Sequence, residues 1–316
     1  MRPPCSLAIL AVLCSPAWTQ SIPPDPQQML ETALHRSNLF HDARAPFVYE
    51  ADFTTQFKTP TTGNILVHWG AKDRWRMDIT VGAFAMIKTR NGEQTLTFRN
   101  VPFTPIRVKE LLLLLRLDIH QQELSARNLK KHRQNGQEVD CIEFDKDNFL
   151  HACVDPSTGD LLSAETERAE GKLRADYSEF TEFDGLHIPQ RMLLQTTAGN
   201  VVSAKVTRLA LEPFDEKLLE LPKDAIVRRE CDGEEPATTI KRGPIDWPLS
   251  GSIGDVQTSV TILQDGSVGD VEILGGASPE LNKAIVSAIK KSQYKPAMCG
   301  SDPVTSEIEV DVQVRR

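Results

Sequence analysis

Six cysteines, seven histidines and several carboxylates close in sequence are the residues whose types could do chemistry in this chain. Cys5 and Cys14 fall in an apolar leader, and Cys141, Cys153, Cys231 and Cys299 follow in the body of the chain. No Cys-x-x-Cys and no Cys/His cluster has ligand spacing, so a zinc site finds no support. An even cysteine count in an exported chain points to disulfides, with three pairings open to four thiols and free buried thiols as the other reading. Cys141–Cys153 with Cys231–Cys299 is the expected pairing. Cys141 and Cys153 sit on consecutive strands around a turn at 145–148, where a cross-strand bond would staple the hairpin. His35 and His41 are six apart, which does not place them on one helical face, so surface or satisfied core roles fit them. Asp176, Glu179, Glu182 and Asp184 lie on a strand and its turn, where a solvated face is a simpler account than an acid/base pair. Gly-x-Ser-x-Gly, a phosphate loop and His-Glu-x-x-His are all absent from the sequence. No catalytic residue, metal or cofactor is expected, and the chain reads as non-enzymatic.

The elements that would carry these residues begin with the leader. Arg2 precedes the apolar run Leu7–Leu13, then Pro16, Ala17 and the polar Thr19, Gln20 and Ser21. Residues 1–20 read as a cleavable secretory signal, too short for the roughly 20 residues of a spanning helix. Retention as an anchor is the other reading. Leu13 is bulky where a lipidation site wants a small residue, so Cys14 is not read as one. The expected location is exported, in the periplasm or cell envelope. With 316 residues the chain favours two domains, and 40% hydrophobic and 25% charged residues mark it as globular. A net charge of −8 argues against nucleic acid as a partner and against electrostatic docking to anionic membranes.

A helix is expected over Gln27–Ala43, ended by Pro46. Period-two strands follow, with Phe47, Tyr49, Ala51, Phe53, Thr55 and Phe57 on one face of the first, then Gly63–Trp69 and the run around Trp75–Val81. Asn91-Gly92, Asn135-Gly136, Asp155–Gly159 and Asp184-Gly185 mark hairpin turns between later strands, the last of which is Val201–Leu211. Pro105–Leu117 breaks the pattern as a helix with two apolar stripes: Val108, Leu111, Leu112 and Leu115, and Leu113, Leu114 and Leu117. Such a helix must be covered on two sides. Either it is deeply buried, or Leu111, Leu112, Leu114 and Leu115 form a lid over a lipophilic cavity.

Residues 27–212 thus make a β-rich domain, an antiparallel curved sheet or open half-barrel with helices in its mouth. This architecture and the segment Phe183-Asp184-Gly185-Leu186-His187-Ile188-Pro189-Gln190-Arg191 resemble the LolA/LolB-like lipoprotein-carrier family. That resemblance implies a lipid or acyl ligand. Residues 213–243, with Pro213, Pro222, Pro236 and the acidic Asp232–Glu235, read as a linker with a short helical turn at Asp215–Leu221.

Residues 244–316 read as β-β-α-β: a strand at Ile253–Leu263, the turn Gln264-Asp265-Gly266-Ser267, and a strand at Val268–Leu274. A helix follows, capped by Ser278 with Pro279 at its first position, and the last strand carries Ile308, Val310, Val312 and Val314. The whole chain is therefore expected to be α+β. Trp247-Pro248, Asp265-Gly266-Ser267-Val268, Leu281–Ala288 and Tyr294-Lys295-Pro296-Ala297 closely resemble the TonB C-terminal domain family. The sequence departs from the family in having Trp247 where Tyr is usual, a shortened segment before Gly254, and no Trp at Lys291-Ser292-Gln293. A Cys231–Cys299 bond would tie the linker to this domain. The resemblance implies that the last strand, Ile308, Glu309, Val310, Asp311, Val312, Gln313 and Val314, captures an extended peptide from an outer-membrane receptor or other envelope protein by strand addition. Pairing of that edge in a dimer, or blunting by Glu309 and Asp311, is the competing reading. An envelope adaptor with a lipophilic-ligand domain is the expected function. A membrane-anchored TonB-type energy transducer for transport across the outer membrane is the alternative.

Overall fold

The computed structural model describes residues 25–314 apart from 57–59, 102, 116–124, 135, 145–148, 169–170, 197–198, 222, 224–226, 229–233, 247–253 and 276–277. The leader 1–20, Trp247, Pro248 and Cys231 therefore lie outside the described residues. Asp25 caps the first helix by accepting from Gln27 N at 3.1 Å, with Pro26 at its first position. The single helix expected over 27–43 is two, α1 (Pro26–Arg36) and α2 (Leu39–Asp42). Ser37 turns its hydroxyl back onto Ala33 O at 3.0 Å, and Asn38 leaves helical geometry at φ −92°, ψ 72°.

The expected strand run then forms as β1 (Phe47–Gln56), β2 (Pro60–Ala71), β3 (Arg74–Val81), β4 (Phe84–Asn91) and β5 (Gln94–Arg99). Helix α3 (Ile106–Leu114) intervenes. The chain resumes with β6 (Ala126–Gln134), β7 (Gln137–Phe144), β8 (Phe149–Val154), β9 (Leu161–Arg168), β10 (Gly171–Phe183), β11 (Leu186–Thr196) and β12 (Gly199–Leu211). With β13 (Val227–Arg228) they build one large, curved, open antiparallel sheet of 13 strands, in the order β13-β5-β4-β3-β2-β1-β12-β11-β10-β9-β8-β7-β6. Two meanders, β1–β5 and β6–β12, meet along the β1–β12 ladder, where Phe47 pairs with Leu211. Asp184 and Gly185 both take positive φ (51° and 78°), as the tight β10–β11 turn demands.

One face of this sheet is apolar. Phe47, Tyr49, Ala51 and Phe53 of β1 share a single core with Leu30 and Ala33 of α1, Leu39 of α2, and Val108, Leu111, Leu112, Leu114 and Leu115 of α3. Phe40 packs edge-on to Tyr49 at 5.4 Å and to Trp69 at 5.9 Å. Burial pushes the Tyr49 phenol far above its usual pKa, so it stays neutral.

Cys141 and Cys153 face each other across β7 and β8 and form the expected disulfide. It closes a span of 12 residues. The double substitution Cys141→Ser/Cys153→Ser is expected to lower stability by about 2–3 kcal/mol through loop-closure entropy, read as a shift in urea midpoint. Cys299 is also disulfide-bonded, and its expected partner Cys231 lies outside the described residues.

The segment expected as a linker is built into both halves. A 3₁₀ turn at Glu216–Leu219, capped by Asp215 accepting from Lys217 N at 3.0 Å, precedes β13 on the edge of the large sheet. β14 (Thr238–Lys241) pairs instead with β17 (Gln293–Lys295). The C-terminal unit has a second, separate core. There β15 (Gly254–Ile262) lies between β16 (Val268–Gly275) and β20 (Ser306–Val314), with α4 (Pro279–Lys290) packed on one face. The short strands β18 (Ala297–Cys299) and β19 (Asp302–Val304) precede β20. Ser278 caps α4 by accepting from Leu281 N at 3.2 Å, with Pro279 following it, as the sequence indicates. Among the described residues no helix is long and apolar enough to cross a membrane.

Candidate functional site

The residues with catalytic potential are engaged separately. His35 Nδ1 and His41 Nδ1 both approach the Asp42 carboxylate, at 3.0 and 2.7 Å. Burial alone would raise the Asp42 pKa, but these two imidazoles outweigh it and hold the carboxyl below its usual value. Asp176 pairs with Arg174 at 2.8 Å and Glu179 with Arg191 at 2.6 Å. Asp184 accepts from Arg44 N at 2.7 Å and Ala45 N at 3.3 Å, which fastens the segment after α2 to the β10–β11 turn. Asp42, Asp176, Glu179 and Asp184 thus each have their own structural partner, and Glu182 is exposed. No cluster of three metal-ligating side chains occurs among the described residues.

Helix α3 lies against the apolar face of the sheet. Val108, Leu111, Leu112, Leu114 and Leu115 are buried, while Leu113 is 39% exposed. Leu117 lies outside the described residues. The Tyr177 hydroxyl donates to Leu114 O at 3.4 Å and so satisfies a carbonyl at the helix end. Between α2, the end of α3 and the sheet remains a cavity of about 20 Å³, lined by Leu39, Phe40, Tyr49, Leu114, Leu115 and Met192 among others. That is room for about one water molecule. The concavity is filled by the protein's own side chains, the leucines of α3 among them. A larger recess of about 1360 Å³ opens among Asp52, Asn64, Arg174, Asp176, Arg191 and Lys205. Its lining is mixed, with Phe53, Val139, Leu162, Tyr177 and Leu193 beside these polar side chains.

His187 Nδ1 lies 3.0 Å from Asp160 Oδ1, and Arg36 reaches the same oxygen at 3.7 Å. Sequence reasoning missed this cluster because its members come from α1, the β8–β9 turn and β11.

In the C-terminal unit β20 pairs with β15 from Ser306–Ile262 to Val314–Gly254 and, among the described residues, stands at the end of the sheet order. Ile308, Val310 and Val312 pack on the second core beneath α4. Glu307 and Glu309 point to the opposite face, where α3 begins. Ile106 N donates to Glu307 Oε2, and Ser259 Oγ to Glu307 Oε1. The Arg107 guanidinium meets Glu110 Oε2 at 2.6 Å, Glu309 Oε1 at 2.6 Å and Gln56 O at 3.2 Å. Arg107 is 2% exposed and Glu309 9%. Burial works against the charged guanidinium, and Glu110 with Glu309 more than compensate, so its pKa is raised. This contact joins the two units and was also missed. The i,i+3 spacing of Arg107 and Glu110 in a leucine-rich helix was the available signal.

The Asp265-Gly266 turn and the Tyr294-Lys295-Pro296-Ala297 segment meet in the C-terminal unit. Asp265 Oδ1 accepts from Ser267 N at 2.9 Å and Ser267 Oγ at 2.6 Å, which holds its pKa low. Gly266 takes φ +80°, and a Cβ there would lie 2.2 Å from Tyr294 O. The turn therefore packs against the Tyr294-Lys295-Pro296-Ala297 segment through a hydrogen atom alone. Gly266→Ala is expected to cost about 1–3 kcal/mol in backbone strain, measured by thermal unfolding.

Residues 249–313 match the family model of the Gram-negative bacterial TonB protein C-terminal. No curated protein matches the chain. Among solved structures, a LolA superfamily protein from Nitrosomonas europaea is 13% identical, with 62% of this chain and 97% of that one covered at a TM-score of 0.42. A putative outer membrane lipoprotein-sorting protein domain from Vibrio parahaemolyticus is 10% identical, with 61% and 95% covered at a TM-score of 0.40. MucB of Pseudomonas aeruginosa, in its complex with MucA, is 10% identical, with 86% and 99% covered at a TM-score of 0.28. The TonB C-terminal resemblance drawn from the sequence recurs in the family match.

Proposed function

We propose that this is a non-catalytic, exported protein of the cell envelope that docks a partner through β20 and holds an apolar chain beneath α3. The observation that carries the docking half is the place of β20 at the end of its sheet, within the segment that matches the TonB C-terminal family. An end strand presents ladder groups to which an extended peptide can add. Ile308, Val310 and Val312 hold that strand to the core, so it is presented in a fixed register. A fitting occupant is an extended segment of an outer-membrane receptor. The test is a titration of the isotope-labelled full chain with a synthetic peptide of the receptor segment that pairs with TonB. Amide shifts are expected along 306–314. Saturating peptide without shifts in 306–314 would sink the docking role.

The apolar-chain half is favoured by α3, whose buried leucines occupy the concavity. Native mass spectrometry of the protein expressed with its own leader in a host with a periplasm addresses it. A chain lacking 1–20, with two disulfides and a lipid-sized adduct, is the expected species. A chain that keeps 1–20 and carries no adduct would favour an anchored energy transducer.

A further inference from the structure

Helix α3 serves two neighbours at once. Its first turn is held by the C-terminal sheet through Ile106 N–Glu307 and Arg107–Glu309, and Lys109 Nζ adds a 3.3 Å pair with Glu234. Its last turn seats Leu114 and Leu115 over the small cavity. With nine residues it is only about 13 Å long at 1.5 Å per residue, short enough to move as one rigid piece. We infer that the Arg107–Glu309 contact is an autoinhibitory latch: the C-terminal sheet holds α3 shut over the apolar concavity, and release of that contact frees the helix to lift.

Charge placement fits a switch better than a permanent joint. A buried ion pair adds little net stability, because desolvation offsets the attraction, and its best-attested uses are in specifying one of two arrangements. When the C-terminal sheet withdraws, Arg107 keeps Glu110, three residues on in the same helix, at 2.6 Å. The helix therefore leaves with its own counter-charge, and the open state does not strand a bare cation. Glu309 leaves on β20, the strand proposed to receive a partner, so a pull on that strand acts directly on the latch.

The inference rests on the reading of α3 as a lid, and two separate readouts distinguish the two ideas. Hydrogen exchange at the amides of 111–115 is compared in the full-length wild type, Glu309→Gln and Glu307→Gln, each checked for a native near-ultraviolet circular dichroism spectrum. Each variant is also titrated with cis-parinaric acid, a fluorescent fatty acid. Glu309→Gln is expected to speed exchange in α3 about tenfold or more, the effect of removing one charge from a close buried ion pair, while β1 and β15 stay protected. Fatty-acid affinity is expected to rise with it. Unchanged exchange at 111–115 in the folded variants overturns the latch. Faster exchange without fatty-acid binding upholds the latch and overturns the apolar-ligand reading. If Glu309→Gln does not fold, Glu307→Gln decides by the same criteria.

Discussion

Arg107→Met is expected to lower the unfolding free energy by about 3–5 kcal/mol, the usual cost of removing one member of a buried ion cluster. Methionine replaces much of the aliphatic stem, so the loss reports charge rather than volume. Two carboxylates are left behind, Glu110 at 4% exposure and Glu309 at 9%, each formerly 2.6 Å from the guanidinium. A buried carboxylate that loses a close cationic partner is costly to keep charged. The triple variant Arg107→Met/Glu110→Gln/Glu309→Gln is therefore expected to recover most of the loss, because it removes the charges together. Urea unfolding at fixed pH measures both. A loss below about 1 kcal/mol in the single variant, the range of exposed pairs, would mean that the cluster is solvated.

Leu111→Ala carries the second large effect, about 2–5 kcal/mol, from lost burial and the cavity left behind. Leu111 is fully buried on the face of α3 turned to the sheet. The counterpart is Leu113→Ala, on the exposed side of the same helix, expected to stay within about 0.5 kcal/mol. The contrast tests which stripe of the helix is covered. Equal losses at both positions would show that α3 is enclosed all round, which removes its role as a lid.

The sheet was legible because its signals are local. Period-two alternation, as in Phe47–Phe53, and turns such as Asp184-Gly185 each need only a few neighbouring residues to be read. The capped helix at Ser278-Pro279 and the Asp265-Gly266 turn were legible for the same reason. The break between α1 and α2 was not, because a serine hydroxyl bonding back to Ala33 leaves no mark in apolar spacing. β13 and β14 are too short to show alternation, so the stretch that carries them reads as linker. The Arg107–Glu309 contact was least legible of all. Along β20, Glu307 and Glu309 alternate with apolar residues and look like a solvated face, and only the assembled structure places a guanidinium against them.

The pairing of β1 with β12 sets the order in which the N-terminal half can be completed. Phe47 lies beside Leu211, so one side of β1, whose other side pairs with β2, must wait for β12. The local hairpins β2–β5 and β6–β11 can form as the chain lengthens, because their partners are adjacent in sequence. Until Leu211 has been synthesised, one side of β1 remains an unpaired edge flanked by Phe47, Tyr49 and Phe53. Such an edge is a template for wrong partners during folding. The maturing chain should therefore be most prone to aggregation just before β12 emerges, and a holding chaperone should bind at that stage rather than after the C-terminal unit has formed.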